Sequence, residues 1–189
     1  MEEGDLILRS KEGDLESFNR LVEKYQRAVY NLALRMLGQA SAADDATQEA
    51  FLSAFRGISK FRGGNFRAWL LRITANACRD QLRSLRRHPI TSLDELVLDT
   101  EVDRDAQSPE DYALRRELGA QIMNALATLP SEQRLAVILY DIEGFSYEEI
   151  AQVMNCSLGT VRSRLSRGRG RLRHCLAQHV EPSPDEFRL

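Results

Sequence analysis

Two sets of side chains have the types and spacing for nucleic-acid chemistry. Arg72, Asn76, Arg79, Arg83 and Arg86 follow one another at steps of four, three, four and three, which places them on one stripe of a helix. Arg162, Ser163, Ser166 and Arg167 share one side of a second candidate helix, with Thr160 and Arg164 beside them. Arginine donates in pairs to phosphate or to guanine O6 and N7, and serine can serve any base. Directly before the first stripe, Phe61-Arg62-Gly63-Gly64-Asn65-Phe66 reads as a turn, and Trp69 follows it. A cationic track beside a mobile turn with an amide and aromatic rings can hold single-stranded nucleic acid and capture an unstacked base. For Trp69 a core position is the favoured reading over direct stacking.

A third set is acidic. Asp45, Gln48, Glu49, Leu52 and Arg56 recur at steps of three or four. Paired carboxylates can ligate a metal or act as acid and base, yet His88, His174 and His179 all lie elsewhere in the chain. A protein-docking face with one exposed leucine fits better, so neither a metal nor a cofactor is expected.

The elements that must carry these sets are helical. Leu15, Phe18, Val22, Tyr25, Val29, Leu32 and Met36 form an apolar stripe that Gly38 ends,. Ser41 is a candidate cap of a second helix that runs to about Ile58. A third spans about Phe66 to Arg87, with Phe66, Trp69, Leu70, Ile73 and Ala77 inward, and Pro89 stops it. Residues 89–108 lack periodicity and read as a linker, and residues 179–189 as a flexible tail. Beyond the linker, a helix from about Glu110 to Leu129 carries Leu114, Leu118, Ile122, Ala125 and Leu129, and another starts at Pro130. Ser146 with Glu149 forms a capping box. Asn155-Cys156-Ser157 is a turn, and Leu158, Val161, Leu165, Gly168, Leu172 and Leu176 line one side of a last helix. Residues 147–166 therefore read as a helix-turn-helix, whose second helix enters the major groove.

Charge follows the same division. The 189-residue chain has a formal net charge of −2, but Arg56 to His88 holds nine cations against Asp80 alone, and Arg162 to Arg173 holds six arginines and no acid. Nine acids stand between Pro89 and Glu117. Two basic modules on an acidic tether suit a shared polyanion that the tether avoids. The 20-residue tether reaches roughly 66–72 Å when extended, against about 34–36 Å for a turn of duplex. No apolar run approaches the ~18 residues of a membrane span, the acidic start is unlike a signal peptide, and three scattered cysteines fit a reducing cytoplasm.

In order and spacing, four motifs resemble a bacterial sigma factor of the extracytoplasmic-function (ECF) group. Asp44-Asp45-Ala46-Thr47-Gln48-Glu49-Ala50-Phe51 is similar to the polymerase-binding element of region 2. Residues 61–73 with Asn76 resemble the −10-reading loop and helix. Leu129-Pro130 with Arg134, and Glu143 to Ala151, resemble the start of region 4, and Gly159 to Arg169 its −35 helix. The resemblance implies an all-α protein of two domains, region 2 in residues 1–88 and region 4 in residues 109–178. It further implies that Asp45, Gln48, Glu49 and Leu52 dock on core RNA polymerase. Asn65, Phe66, Trp69, Arg72, Asn76, Arg79, Arg83 and Arg86 would engage the melted −10 strand, and Thr160, Arg162, Ser163, Arg164, Ser166 and Arg167 the duplex −35 element. An anti-sigma factor is an expected partner on the same ground, while no small-molecule substrate, catalysis or membrane insertion is expected. Gly170 departs from the pattern, at about 1 kcal/mol against alanine, so the last helix is expected to fray beyond Arg169. Gly63 and Gly64 leave the identity of a captured base open. Two rivals stand beside this reading: a stand-alone helix-turn-helix regulator with a sensing domain in residues 1–88, and a helical metal-dependent hydrolase using Asp44, Asp45 and Glu49.

Overall fold

The computed structural model describes residues 2–87 and 109–177, and every regular element in them is helical. The proposed linker and tail lie outside the described residues. Helices α1 (Glu3–Lys11), α2 (Leu15–Leu37), α3 (Ala40–Gly57) and α4 (Phe66–Arg87) pack into one bundle. Helices α5 (Pro109–Ala127), α6 (Ser131–Val137), α7 (Tyr147–Met154) and α8 (Leu158–Ala177) form a second. Between α6 and α7 the helical path continues over Ile138–Ile142 with wider turns, and Gly144 at φ 73° ends it.

The amphipathic pattern of α2 translates into burial except at Leu15, which precedes the packed part and is 60% exposed, and at Val22, which is half-buried. Phe18, Leu21, Tyr25, Val29, Leu32 and Met36 face inward, Asp14 caps the helix by accepting from the Glu16 N–H, and Gly38 closes it in the left-handed region at φ 78°. Helix α3 packs by smallness: Ala42, Ala43, Ala46, Ala50 and Ala54 form its buried face, which lets its backbone lie close to α2 and α4. Its start differs from the sequence expectation. Gln39, extended at φ −130°, precedes the helix without a side-chain bond, and Ser41 is exposed within the first turn. The left-handed Gly38 reverses the chain so tightly that one extended residue suffices before helix resumes.

The short α1 has no counterpart in the sequence reading as a separate element. Leu6 and the Ser10 hydroxyl are buried against α2, and the Glu3 carboxylate accepts from Lys24 and Tyr25. Those two bonds hold the Glu3 carboxyl below its usual range, the Lys24 bond most strongly.

In the second bundle, α5 departs from its expected stripe. Leu118 and Ile122 are exposed at 54% and 41%, while Met123, Ala125, Leu126 and Leu129 are buried. Among the side chains described on α5, burial is confined to its C-terminal part, which meets α8 and α2, so a stripe continued toward the N-terminus has nothing to cover it. Helix α8 also corrects an expectation, since it runs through Gly170 to Ala177.

Its two glycines are not equivalent. A Cβ on Gly168 would stand 2.8 Å from Val137 Cγ2 and 3.3 Å from the Gln133 carbonyl oxygen, whereas one on Gly170 meets nothing within 4 Å. Gly168 is where α8 crosses α6. Gly170→Ala is therefore expected to raise stability by about 0.5–1 kcal/mol, and Gly168→Ala to lower it by about 1–3 kcal/mol through overpacking. Urea-denaturation midpoints of the two variants should move in opposite directions.

Candidate nucleic-acid and protein-docking interfaces

The turn before α4 is built by glycine and asparagine. Gly63 and Gly64 sit at φ 93° and 90°, a conformation that costs other residues dearly. Asn65 then caps α4: its Oδ1 accepts from the Ala68 N–H at 3.0 Å, and its carbonyl oxygen from the Trp69 N–H at 3.1 Å. The Asn65 amide nitrogen donates to Glu149 Oε1 at 2.6 Å. Asn65 is thus a structural cap whose amide NH2 alone faces outward.

Phe66 does not reach the surface. Its ring is 2% exposed and packs edge-on against Phe61, with Tyr25 beside it. This is the inward position that the amphipathic pattern predicts. At the first position of an amphipathic helix its ring turns inward, where it forms the floor beneath Trp69. The Trp69 ring is half-buried, 5.3 Å from both the Phe61 and Phe66 centroids. A cleft of roughly 380 Å3 is lined by Phe61 and Trp69 and edged by Arg62, Gly64, Asn65 and Arg72.

Along α4, Arg72, Asn76 and Arg83 are exposed, and Arg83 pairs with Asp80 at 3.2 Å. Arg79 is largely covered, with a side-chain exposure of 17%. Its guanidinium donates to Asn76 Oδ1 at 3.0 Å and to both oxygens of Glu132 at 2.8 and 3.4 Å. The Arg86 side chain lies outside the described residues.

The helix-turn-helix has the local chemistry the sequence implied. Ser146 Oγ accepts from the Glu149 N–H at 3.2 Å, and Glu149 Oε2 accepts from the Ser146 N–H at 2.9 Å. Asn155 takes the left-handed conformation at φ 49° that ends α7, and Ser157 Oγ accepts from the Thr160 N–H to start α8. Val161, Leu165 and Gly168 face inward. Arg162, Ser166 and Arg167 are exposed, and Ser163 and Thr160 half-exposed. Arg164 is turned away from that face, paired with Glu132 at 3.0 Å and within 3.5 Å of Cys156 Sγ. Arg169 forks onto Asp141 and lies over the Tyr140 ring.

Glu149 serves two partners at once. Its carboxyl is held below the usual glutamate range, first by the Ser146 backbone N–H and also by the Asn65 amide. The stabilisation this implies is present above the ordinary glutamate pKa and is lost as pH falls through the depressed folded value.

On α3, Asp45, Gln48, Glu49 and Leu52 are all exposed, Leu52 at 51%, and Glu49 accepts from the Ser53 hydroxyl. An exposed apolar side chain ringed by acids and an amide has the chemistry to contact a protein. Among the described residues no three His, Cys, Asp or Glu side chains are grouped to hold a metal ion, and no helix is long and apolar enough to cross a membrane.

Sequence reasoning named Arg67, Arg134 and Glu143 within motifs but gave no sign of the contacts by which they join the bundles. Glu143, whose side chain is 7% exposed, lies between Arg35 at 3.5 Å and Arg67, which also stacks on Phe145. Arg134 donates to the Met36 carbonyl at the end of α2 and to the Ala127 and Leu129 carbonyls, a placement that the helix dipole favours. Arg134 and Met36 stand 98 positions apart, and no periodicity links such partners, so no local pattern announces them.

Two helical bundles with these faces are the architecture of sigma-70 regions 2 and 4. The chain matches the family Sigma-70 region 2 over residues 21–88 and Sigma-70, region 4 over residues 119–172. It is 42% identical over 165 residues to the ECF RNA polymerase sigma factor SigE of Mycolicibacterium smegmatis, covering 87% of this chain but only 63% of that one. It is 38% identical over 171 residues to the ECF RNA polymerase sigma-E factor of Haemophilus influenzae, covering 87% of this chain and 89% of that one. A solved structure of the sigma factor RpoE in complex with the anti-sigma factor NepR from Bartonella quintana aligns with a TM-score of 0.66 and 26% identity, over 86% of this chain and 98% of that one. The chain belongs to the ECF group of RNA polymerase sigma factors.

Because Asn65 caps α4, Asn65→Ala should lower stability by about 1 kcal/mol. Asn65→Ser, which keeps an acceptor for the Ala68 N–H, should recover most of that loss. Thermal or urea unfolding of the two variants measures the difference.

Proposed function

We propose that this chain binds core RNA polymerase and directs it to promoters by reading two DNA elements, without catalysis of its own. Region 2, in residues 1–88, docks through Asp45, Gln48, Glu49 and Leu52. The cleft lined by Phe61 and Trp69 receives an unstacked base of the −10 element, with the amide of Asn65 at its edge. Arg72, Asn76, Arg79, Arg83 and Arg86 hold the melted strand through its phosphates. Region 4, in residues 109–178, reads the −35 duplex with Arg162, Ser163, Ser166 and Arg167, while Thr160 and Arg164 contact its backbone. Residues 89–108 tether the two.

The observation that carries this reading is the pairing of a base-sized aromatic cleft beside a cationic helix with a second, separately capped helix-turn-helix that presents arginine and serine. Stacking plus cations suits single strands, and a capped helix with exposed arginines suits the major groove, so the chain has one face for each state of promoter DNA. Such work belongs in the cytoplasm, beside the chromosome. An anti-sigma factor is a fitting further partner, as in the related complex from Bartonella quintana.

Core polymerase mixed with this chain and a random-sequence DNA library should give transcripts whose 5′ ends cluster behind a shared two-part sequence. Unclustered starts would overturn the reading, and duplex binding by paired copies without polymerase would favour a stand-alone regulator. Arg162→Ala should cost about 1–3 kcal/mol and relax base choice at one −35 position, whereas an equal loss on every sequence would make Arg162 a phosphate contact. Asp45→Arg should abolish co-purification with polymerase while leaving the circular-dichroism spectrum unchanged.

A further inference from the structure

The apolar stripe of α5 stays open on one side. Ile122 and Ile142, each 41% exposed, line a groove of roughly 580 Å3 between α5, the segment Ile138–Ile142 and α8. Leu126, Leu172 and Leu176 continue its apolar lining, and the exposed Arg173 belongs to its rim. Leu118, one turn before Ile122 and also exposed, extends the apolar strip beyond it. None of the residues assigned to DNA lines this groove, so it is a surface separate from the reading face.

A contiguous apolar surface is a liability in water unless something covers it, and the adjoining chain has the composition to do so. Helix α8 ends at Ala177, one residue beyond Leu176 of the groove. Residues 178–189, outside the described residues, read Gln-His-Val-Glu-Pro-Ser-Pro-Asp-Glu-Phe-Arg-Leu. Pro182 and Pro184 have no N–H to donate, so the path of α8 cannot run on through them. In an extended chain Phe187 and Leu189 share one side, with Glu186 and Arg188 on the other. Phe187 follows Ala177 by ten residues, up to about 33 Å of extended chain. Arg169, at the far end of the groove, lies eight residues back along α8, or about 12 Å. The segment is therefore long enough to turn back and lay both side chains in the groove. Its acids Glu181, Asp185 and Glu186 outnumber Arg188 and suit Arg173, since Arg169 is already forked onto Asp141.

We propose that residues 178–189 fold back along α8 and seat Phe187 and Leu189 in the groove between α5 and α8, with the acids of the segment against Arg173. This goes beyond the promoter-reading assignment and does not depend on it. A short tether holds its far end near the site at a millimolar effective concentration, so weak contacts suffice to keep the groove filled. The ionic contribution falls with salt, while the two apolar anchors remain.

The test uses nuclear magnetic resonance of the full chain with labelled isoleucine methyl groups, in the wild type and in the variant Phe187→Ser/Leu189→Ser. The signals of Ile122 and Ile142 should move in the variant, while those of Ile58 and Ile150, buried away from the groove, stay in place. A synthetic peptide of residues 178–189, added to the variant at about 1 mM to match what a short tether supplies, should return both signals toward their wild-type positions. Unmoved Ile122 and Ile142 signals in the variant, or no return on adding the peptide, would overturn the proposal. Two further outcomes name a different occupant and overturn it as well. Signals that respond only to dilution give the groove to a second copy of the chain, and signals that respond only to Leu96→Ser/Leu98→Ser give it to the segment before α5.

Discussion

Like charges brought together by folding must be separated or paired, and that constraint governs this molecule. Nine cations between Arg56 and His88 and six arginines between Arg162 and Arg173 belong to two bundles that meet where α7 rests on α4. Glu132 stands between Arg79 and Arg164, and Glu143 between Arg35 and Arg67. Burial of the Arg35 guanidinium favours its neutral form, and the Glu143 carboxylate opposes that shift. Without those carboxylates the two faces would repel, and the burial gained where α7 rests on α4 would have to offset that repulsion alone.

The same economy of position appears inside each bundle. Asn65 is at once the cap of α4 and the edge of the base-sized cleft, and Phe66 is core that supports Trp69, whose ring lines that cleft. Helix α4 therefore carries Trp69 and Arg72 at the cleft, and the two glycines at φ 93° and 90° make the turn that leads into it. In region 4, Gly168 lets α8 approach α6 closely enough for Val161 and Leu165 to be buried, which fixes the direction in which Arg162 and Arg167 point.

Much of the fold was legible because its signals are local. The apolar stripe of α2, the Ser146–Glu149 box, the Asn155 turn and the span of α4 each depend on residues within a turn or two of one another. Where the sequence reading erred, a neighbour in space had decided the matter. Leu118 and Ile122 continue a stripe that no described residue buries, and α8 ran past Gly170 because one glycine among good helix formers is a small penalty against continued hydrogen bonding. The α3 start was misplaced for a backbone reason, the left-handed Gly38, which outweighed the side-chain capping of Ser41.

By itself the sequence determined the helices, their division into two modules, the sign of each face and the family they belong to, since periodicity, capping and charge are written in consecutive residues. Tertiary structure alone decided which arginines face solvent and which are claimed by a carboxylate. In the chain Glu132 looks like an ordinary surface acid, Glu143 only opens a motif and Glu149 shows only its local capping role. They meet Arg79, Arg67 and Asn65 only because folding brings together residues 53, 76 and 84 positions apart, and an ion pair depends on distance in space, to which spacing along the chain gives no guide.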